Sequence, residues 1–255
     1  MYGDGVPVNY DVGLMWYRKA AGQGSASAQS SIGWCYWNGN GVPVNKVEAV
    51  SWFQAAVDSG GYPAAQYNLG MAYKTGEGGL PINFNEFFRL LQLAADQNEV
   101  RAIATLGWCY RAGDGVPVDK QKAVSLFLRA AELGDARSQF NLAWCYQHGD
   151  GIQIDKSEGV RWLRRAAVQG HAVAQYNLGY CYVTGDGVEQ DLKLAVVWYK
   201  RSADLGNAKA QYYLGICHRN GLGLPRDLVN AQKWFELAAK NGSEEAVIAL
   251  TKIRV

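Results

Sequence analysis

The residues with the most obvious chemical potential lie in and beside short glycine turns. In "LGWCYRAGDGVPVD", residues 106–119, the turn Gly113-Asp114-Gly115 runs toward Asp119, a residue type that starts helices. Such a turn ahead of a helix N-terminus can cradle a phosphate, because backbone N–H groups and the helix dipole point at the anion. Lys74-Thr75-Gly76 spells the K-T-G box of serine β-lactamases. Cys35, Cys109, Cys145, Cys181 and Cys217, with His148, His171 and His218, offer thiols and imidazoles for metal or nucleophilic chemistry.

Spacing argues against each of these. The glycine turn recurs as Gly3-Asp4-Gly5, Gly39-Asn40-Gly41, Gly76-Glu77-Gly78, Gly113-Asp114-Gly115, Gly149-Asp150-Gly151, Gly185-Asp186-Gly187 and Gly221-Leu222-Gly223, at intervals of 36, 37, 37, 36, 36 and 36 residues. Seven evenly spaced copies read as punctuation between structural repeats, not as seven phosphate sites. Lys74-Thr75-Gly76 sits in that same turn slot, and no serine is followed by Lys three residues on, as the β-lactamase nucleophile requires. The histidines fall in three different repeat slots, and the carboxylates are scattered. One Cys per repeat, always in one slot, cannot assemble four metal ligands. Equivalent positions on stacked repeats lie on the order of 8–10 Å apart, beyond the roughly 7 Å that a disulfide spans. The thiols read as small core residues in a protein that tolerates a reducing compartment. No catalytic residue, metal or cofactor is expected.

Composition is consistent with that reading. The 255 residues are 49% hydrophobic and 19% charged, with a net charge of +2 and interspersed acids, so no nucleic-acid track is expected. No apolar run reaches the length of a membrane span, and the N-terminus lacks the layout of a signal peptide, which favours a cytoplasmic location. Asn241-Gly242-Ser243 fits a glycosylation sequon, a match expected once by chance.

Two helices must position the turns in each repeat. The first carries "AQYNLGYCYVTG", residues 174–185, whose apolar residues recur at i, i+3, i+4 and i+7. The second starts at Asn9, Asn45, Asn83, Asp119, Asp155, Asp191 or Asp227, side chains that accept from the free N–H groups of a first turn. Seven residues past each cap stands a large apolar residue: Trp16, Trp52, Leu90, Leu126, Trp162, Trp198 or Trp234. Small pairs such as Ala166-Ala167 follow, and a glycine such as Gly134, Gly170 or Gly206 closes the helix. No strand-like alternation occurs.

The string L-G-x-x-Y-x-x-G-x-G-V followed by D-x-x-x-A-x-x-W-Y-x-x-A-A, nearly complete over residues 178–203, resembles the Sel-one-like repeat family, relatives of the tetratricopeptide repeats. The resemblance covers a half-repeat at 1–24, six full repeats at 25–60, 61–98, 99–134, 135–170, 171–206 and 207–242, and a capping helix at 243–255. It departs at Phe87 and Leu90, which replace the second-helix Ala and Trp, and at Ile103, which replaces the usual Gln. It implies an all-α fold, a right-handed α/α superhelix (solenoid) of repeats of about 36 residues. It also implies an adaptor role, with the first helices lining a concave face. Some secreted relatives carry a second Cys per repeat and are disulfide-stapled; this chain has no second Cys.

Within that frame, partner binding is expected where the first helices vary. Trp34, Met71, Trp108, Trp144, Tyr180 and Ile216 share a face with Ser30, Tyr67, Ala104, Phe140, Tyr176 and Tyr212 four residues earlier. Trp37, Lys74, Arg111, Gln147, Val183 and Arg219 follow three residues later, with Asn38, His148 and Asn220 beside them. The partner-binding set is Trp34, Trp37, Trp108, Arg111, Phe140, Trp144, His148, Tyr176, Tyr180, Tyr212 and Arg219, centred on Trp108 and Trp144. Aromatics edged by Arg are the residue types that anchor protein interfaces. The alternative is that the rings only pack between neighbouring helices. Asn68, Asn141 and Asn177 either form a ladder that grips a peptide backbone, as the resemblance implies, or fix repeat stacking by hydrogen bonds.

The expected function is thus a non-enzymatic scaffold that binds a peptide or partner helix in its groove. The rival readings are a structural spacer, a self-associating module and a β-lactamase-type hydrolase. Lys252 and Arg254 read as a polar C-terminal cap. Leu14, Met15, Trp16 and Tyr17 have no preceding helix to cover them, which suggests either a longer parent protein or self-association at that end.

Overall fold

The computed structural model describes residues 9–252; the turn Gly3-Asp4-Gly5 and the cap residue Arg254 lie outside the described residues. Among the described residues there are fourteen α-helices and no strand, so the fold is an all-α helical repeat. It forms two compact units, Met1–Val118 and Asp119–Val255. In the first unit, the first helices α2 (Ala26–Asn38), α4 (Pro63–Thr75) and α6 (Val100–Ala112) alternate with the second helices α1 (Tyr10–Ala21), α3 (Lys46–Asp58) and α5 (Phe84–Asp96). In the second unit, α8 (Ala136–His148), α10 (Ala172–Thr184), α12 (Ala208–Asn220) and α14 (Glu244–Lys252) alternate with α7 (Lys120–Glu132), α9 (Lys156–Val168), α11 (Leu192–Asp204) and α13 (Leu228–Lys240). Within each unit, every helix packs on the next one in sequence.

Local chemistry sets the boundaries. All seven expected caps accept the N–H of the residue three positions on, from Asn9 with Val12 to Asp227 with Asn230. The first glycine of each described turn ends a first helix in the left-handed conformation, with φ between 71° and 78°.

The second glycine has another task. A Cβ at Gly78, Gly151, Gly187 or Gly223 would overlap the backbone of Lys46, Lys120, Lys156 or Leu192. At Gly41 and Gly115 it would strike Tyr10 and Phe84. Each of these six partners is the first residue of the preceding repeat's second helix. The turn that looked like a phosphate cradle is therefore the joint between repeats. Three joints add an ion pair from that first residue to the turn acid: Lys46–Glu77, Lys120–Asp150 and Lys156–Asp186. Where the first residue is Phe84, Asp114 turns instead to Lys74 of α4, 2.5 Å away. Where it is Leu192, the turn carries Leu222 in place of an acid.

A buried ring presses on the small residue of the first helix. Gly33 faces Phe53, Gly179 faces Tyr199 and Gly215 faces Phe235, each ring carbon within 2.7 Å of where a Cβ would stand. This large residue, eight past the cap, is the Tyr of the D-x-x-x-A-x-x-W-Y string, although the sequence alone assigns it no packing role. Two repeats fill its place differently. In α5 the ring moves one turn earlier, to Phe87, and Leu91 takes the usual ring position, both fully buried. In the repeat where Ala143 replaces the first-helix glycine, the facing alanine becomes Gly159 and the ring becomes Leu163.

Repeat stacking is fixed by buried glutamines. Gln139, Gln175 and Gln211 donate Nε2 to the carbonyls of Ala131, Ala167 and Ala203, near the end of the preceding second helix. The side-chain oxygens of Gln66, Gln139 and Gln211 accept from Gln97, Gln169 and Asn241, at the end of the following second helix. The corresponding residue for Gln175 is Leu205, and Gln175 Oε1 is left without a partner. Gln29, whose corresponding residue is Ser59, is orphaned in the same way.

The ends differ from expectation in part. Leu14 is buried and Tyr17 half-buried against α2, so only Met15 and Trp16, both more than half exposed, lack cover. Ala246 and Ala249 anchor α14, but its outer surface carries exposed Val247 and Ile248 beside Lys252, so the cap is only partly polar.

Two stability predictions follow from these contacts. Leu205→Gln supplies the missing donor to Gln175 and should stabilise the fold by about 1 kcal/mol, read as a higher thermal midpoint. Gly179→Ala places a methyl 2.7 Å from the Tyr199 ring and 3.2 Å from the Ala195 carbonyl. It should destabilise by about 1–3 kcal/mol in denaturant melts.

Candidate functional site

The first helices place their variable residues in three environments. Trp34, Trp108 and Tyr180 are 47%, 50% and 44% exposed, values that leave a ring face free for contact. Arg111 lies over the Trp108 ring at 5.7 Å. Trp144 is half-buried and stacks on His148 at 4.2 Å, and His148 Nδ1 lies 2.9 Å from the Trp144 carbonyl. Asn38, Thr75 and Thr184 bond back to their own helices in the same fashion.

Several expected contact residues act in packing. Trp37 meets Phe53 and lies under Lys46. Phe140 stacks on His171, which caps α10 by accepting from Ala174 N–H; burial pushes its pKa down, as does the charge of Arg137. Tyr176 joins Tyr199 and Tyr213, and burial followed by the neighbouring Tyr213 hydroxyl pushes the Tyr176 pKa up. Tyr212 packs on Phe235, over which Arg219 also lies. Ser30 is buried, and Ile216 packs into the α12–α14 cluster.

The asparagines stand apart from this packing. Asn68, Asn141 and Asn177 are half-buried, and their side-chain amides make no hydrogen bond within the described residues. The stacking bonds belong to the glutamines two positions earlier in the A-Q-Y-N string. Two clefts place such an amide beside a tryptophan of the preceding repeat. In the first unit, Asn68 lines a cleft of about 230 Å³ with Trp34, Trp37, Tyr67 and Met71. In the second, Asn177 lines one of about 470 Å³ with Trp144, His148, Tyr180 and the Lys156–Asp186 pair. A further cleft of about 410 Å³ in the first unit joins Asn68 to Trp34, Ser31, Tyr62 and Arg101. Trp108 belongs to the first unit and Trp144 to the second.

This alternation of capped helices, glycine joints and small-on-large contacts matches the Sel1 repeat model over residues 1–25, 26–61, 63–99, 100–135, 136–171, 172–207 and 208–243. The chain belongs to the Sel1 repeat family. Sel1 repeat proteins are generally scaffolds that bind protein partners, and the family is typically non-catalytic. Among solved structures, the chain is similar to a Sel1 repeat protein from Oxalobacter formigenes, at 34% identity and a TM-score of 0.82, covering 91% of this chain and 94% of that one. It is similar as well to a protective antigen of uropathogenic Escherichia coli strains displaying an SLR fold, at 32% identity and a TM-score of 0.84. That match covers 98% of this chain, which spans only 54% of the antigen's length. No curated protein matches the sequence. No described helix is long and apolar enough to cross a membrane.

The five cysteines are buried beneath this face, and none is joined in a disulfide. Burial pushes the thiols of Cys35 and Cys109 up, and those of Cys181 and Cys217 up to about 11. A raised thiol pKa keeps the group protonated and inert at neutral pH. Its stabilising contribution is present below the ordinary value of 9.0 and is lost as pH rises toward 11. Titration with a disulfide reagent at pH 8 should find no reactive thiol in the native protein and all five after denaturation.

Proposed function

We propose that this Sel1 repeat chain is a non-enzymatic scaffold in which the first-helix face of each unit, taken by itself, holds an extended peptide of a protein partner. The observation that carries this reading is the pair of unpartnered amides, Asn68 and Asn177, each set in a cleft beside a tryptophan. A half-buried amide with no bond inside the protein is left to water and is open to exchange that water for a ligand group. A peptide backbone is such a group, since its N–H and C=O match the acceptor and donor of an asparagine side chain. The neighbouring indoles supply apolar area for the peptide's side chains. An extended strand suits these amides better than a helix, whose backbone groups are already paired. Trp108, with Arg111 over its ring, serves as a further contact in the first unit, as does Tyr180 in the second.

Selection of a random peptide display library on the full chain tests this. Peptides enriched by the wild type should bind the Asn68→Ala, Asn177→Ala double variant about tenfold more weakly, with the melting profile unchanged. N-methylation of the contacted peptide amide should weaken binding similarly. Equal binding by a folded double variant would remove the asparagines from the reading, and no enrichment over bare resin would remove the peptide itself.

A further inference from the structure

The charges of this chain are segregated by helix type. Six of the seven first helices, α2, α4, α6, α8, α10 and α12, contain no Asp and no Glu; the seventh, α14, carries Glu244 and Glu245. The six carry Lys74, Arg101, Arg111, Arg137, Lys209 and Arg219, and two of the three histidines. All 23 acidic residues lie elsewhere, against the remaining nineteen of the 25 basic ones. The expectation of interspersed acids holds for the chain as a whole and fails for this layer. A net charge near zero conceals a positive layer and a negative remainder.

The positive residues stand at the two ends of their helices. Arg101, Arg137 and Lys209 hold the second position of their helices and are exposed, while Lys74, Arg111 and Arg219 hold the penultimate turn-side positions around the central aromatics. The carboxylates that do approach are largely engaged. Glu77, Asp150 and Asp186 hold the lysines of the repeat joints, and Asp114 holds Lys74. Asp135 caps α8, and Glu99 pairs with Arg101 at 2.7 Å while that guanidinium stacks over Tyr67. Glu245 of α14 bonds Ser243 and lies within the field of Lys209.

We infer that the peptide taken by the first-helix faces is acidic: an extended segment in which Asp or Glu side chains alternate with apolar ones. This rests on the peptide-binding reading above and adds the partner's charge to it. Within each unit the unpartnered amide takes the backbone, the indole beside it takes apolar side chains, and the cations at the helix ends favour carboxylates while repelling basic segments. A nucleic acid is the poorer match. In the first unit Lys74 and Arg101 already hold carboxylates, which interrupts any row of cations that could follow a phosphate backbone.

The display selection decides this with three further readouts. The pool enriched on the full chain should be richer in Asp and Glu than the input, and its affinity should fall by about tenfold from low to high salt. Arg137→Gln with Lys209→Gln should weaken acidic peptides and leave their Asn/Gln counterparts unchanged. Both substitutions are on exposed side chains, so the fold should be retained, and a melting profile checks that. Enrichment without a rise in acidic content overturns the charge inference while the peptide-binding reading stands. No enrichment overturns both. Oligo-deoxythymidine bound as tightly as the selected peptides overturns the choice of an acidic peptide in favour of a polyanion.

Discussion

The structure depends on one backbone approach: the second glycine of each turn laid against the first residue of the preceding repeat's second helix. At Gly151, Gly187 and Gly223 the closest atoms are main-chain ones, at Gly41 and Gly78 main-chain and side-chain atoms share the contact, and at Gly115 the rings of Phe84 and Phe88 make it. A residue without a side chain thus accommodates Tyr10, Lys46, Phe84, Lys120, Lys156 and Leu192 alike. The ion pairs that decorate three of the joints are partly exposed, and pairs of that kind are worth roughly 0–1 kcal/mol. Loss of the pair at Leu192 and Leu222 therefore costs little, whereas any Cβ at the glycine would force the repeats apart. Geometry is held by the backbone, and the side chains of the joint are free to vary.

Inside the repeats, volume is the constrained quantity. The exchange of a Gly–Ala pair for Ala143 and Gly159 keeps the filled space constant while its owner changes. The exchange of Ala49 and Phe53 for Phe87 and Leu91, which adds volume, is accompanied by Leu90 in place of Trp52. The stacking glutamines obey a similar rule for polarity. Where the first helix carries Ile103, the corresponding end residue of its repeat is Leu133, apolar at both positions. Where polarity is kept on one side only, as at Gln175 with Leu205, an orphaned acceptor remains.

Much of this fold is legible in the sequence because its determinants are local. N-caps, left-handed glycines and the 36-residue period are properties of short strings, and all seven caps sit where Asn or Asp precedes an amphipathic stretch. The candidate face is less legible because exposure depends on the neighbour. Trp34 and Tyr176 look equally suited to contact, yet Tyr176 is half-buried against Tyr213, which the next repeat carries where others have Asn, Thr or Ser. The roles of the adjacent Gln and Asn in A-Q-Y-N are likewise invisible in composition. Both are amides, and only the helical angle between them sends one into the joint and the other to the surface.

The glycine joint also bears on how such a chain can change length. Every contact it makes is between one repeat and the one before, so a whole repeat inserted or removed leaves each remaining joint with a partner of the right kind. The two 37-residue intervals show a milder tolerance, absorbed by extra glycines at Gly61 and Gly79, both with positive φ. A crossover between equivalent points of two repeats in the gene would thus give a chain that still closes every joint, wherever within the period the break fell. Length in this fold can be altered by recombination without redesign of its interior.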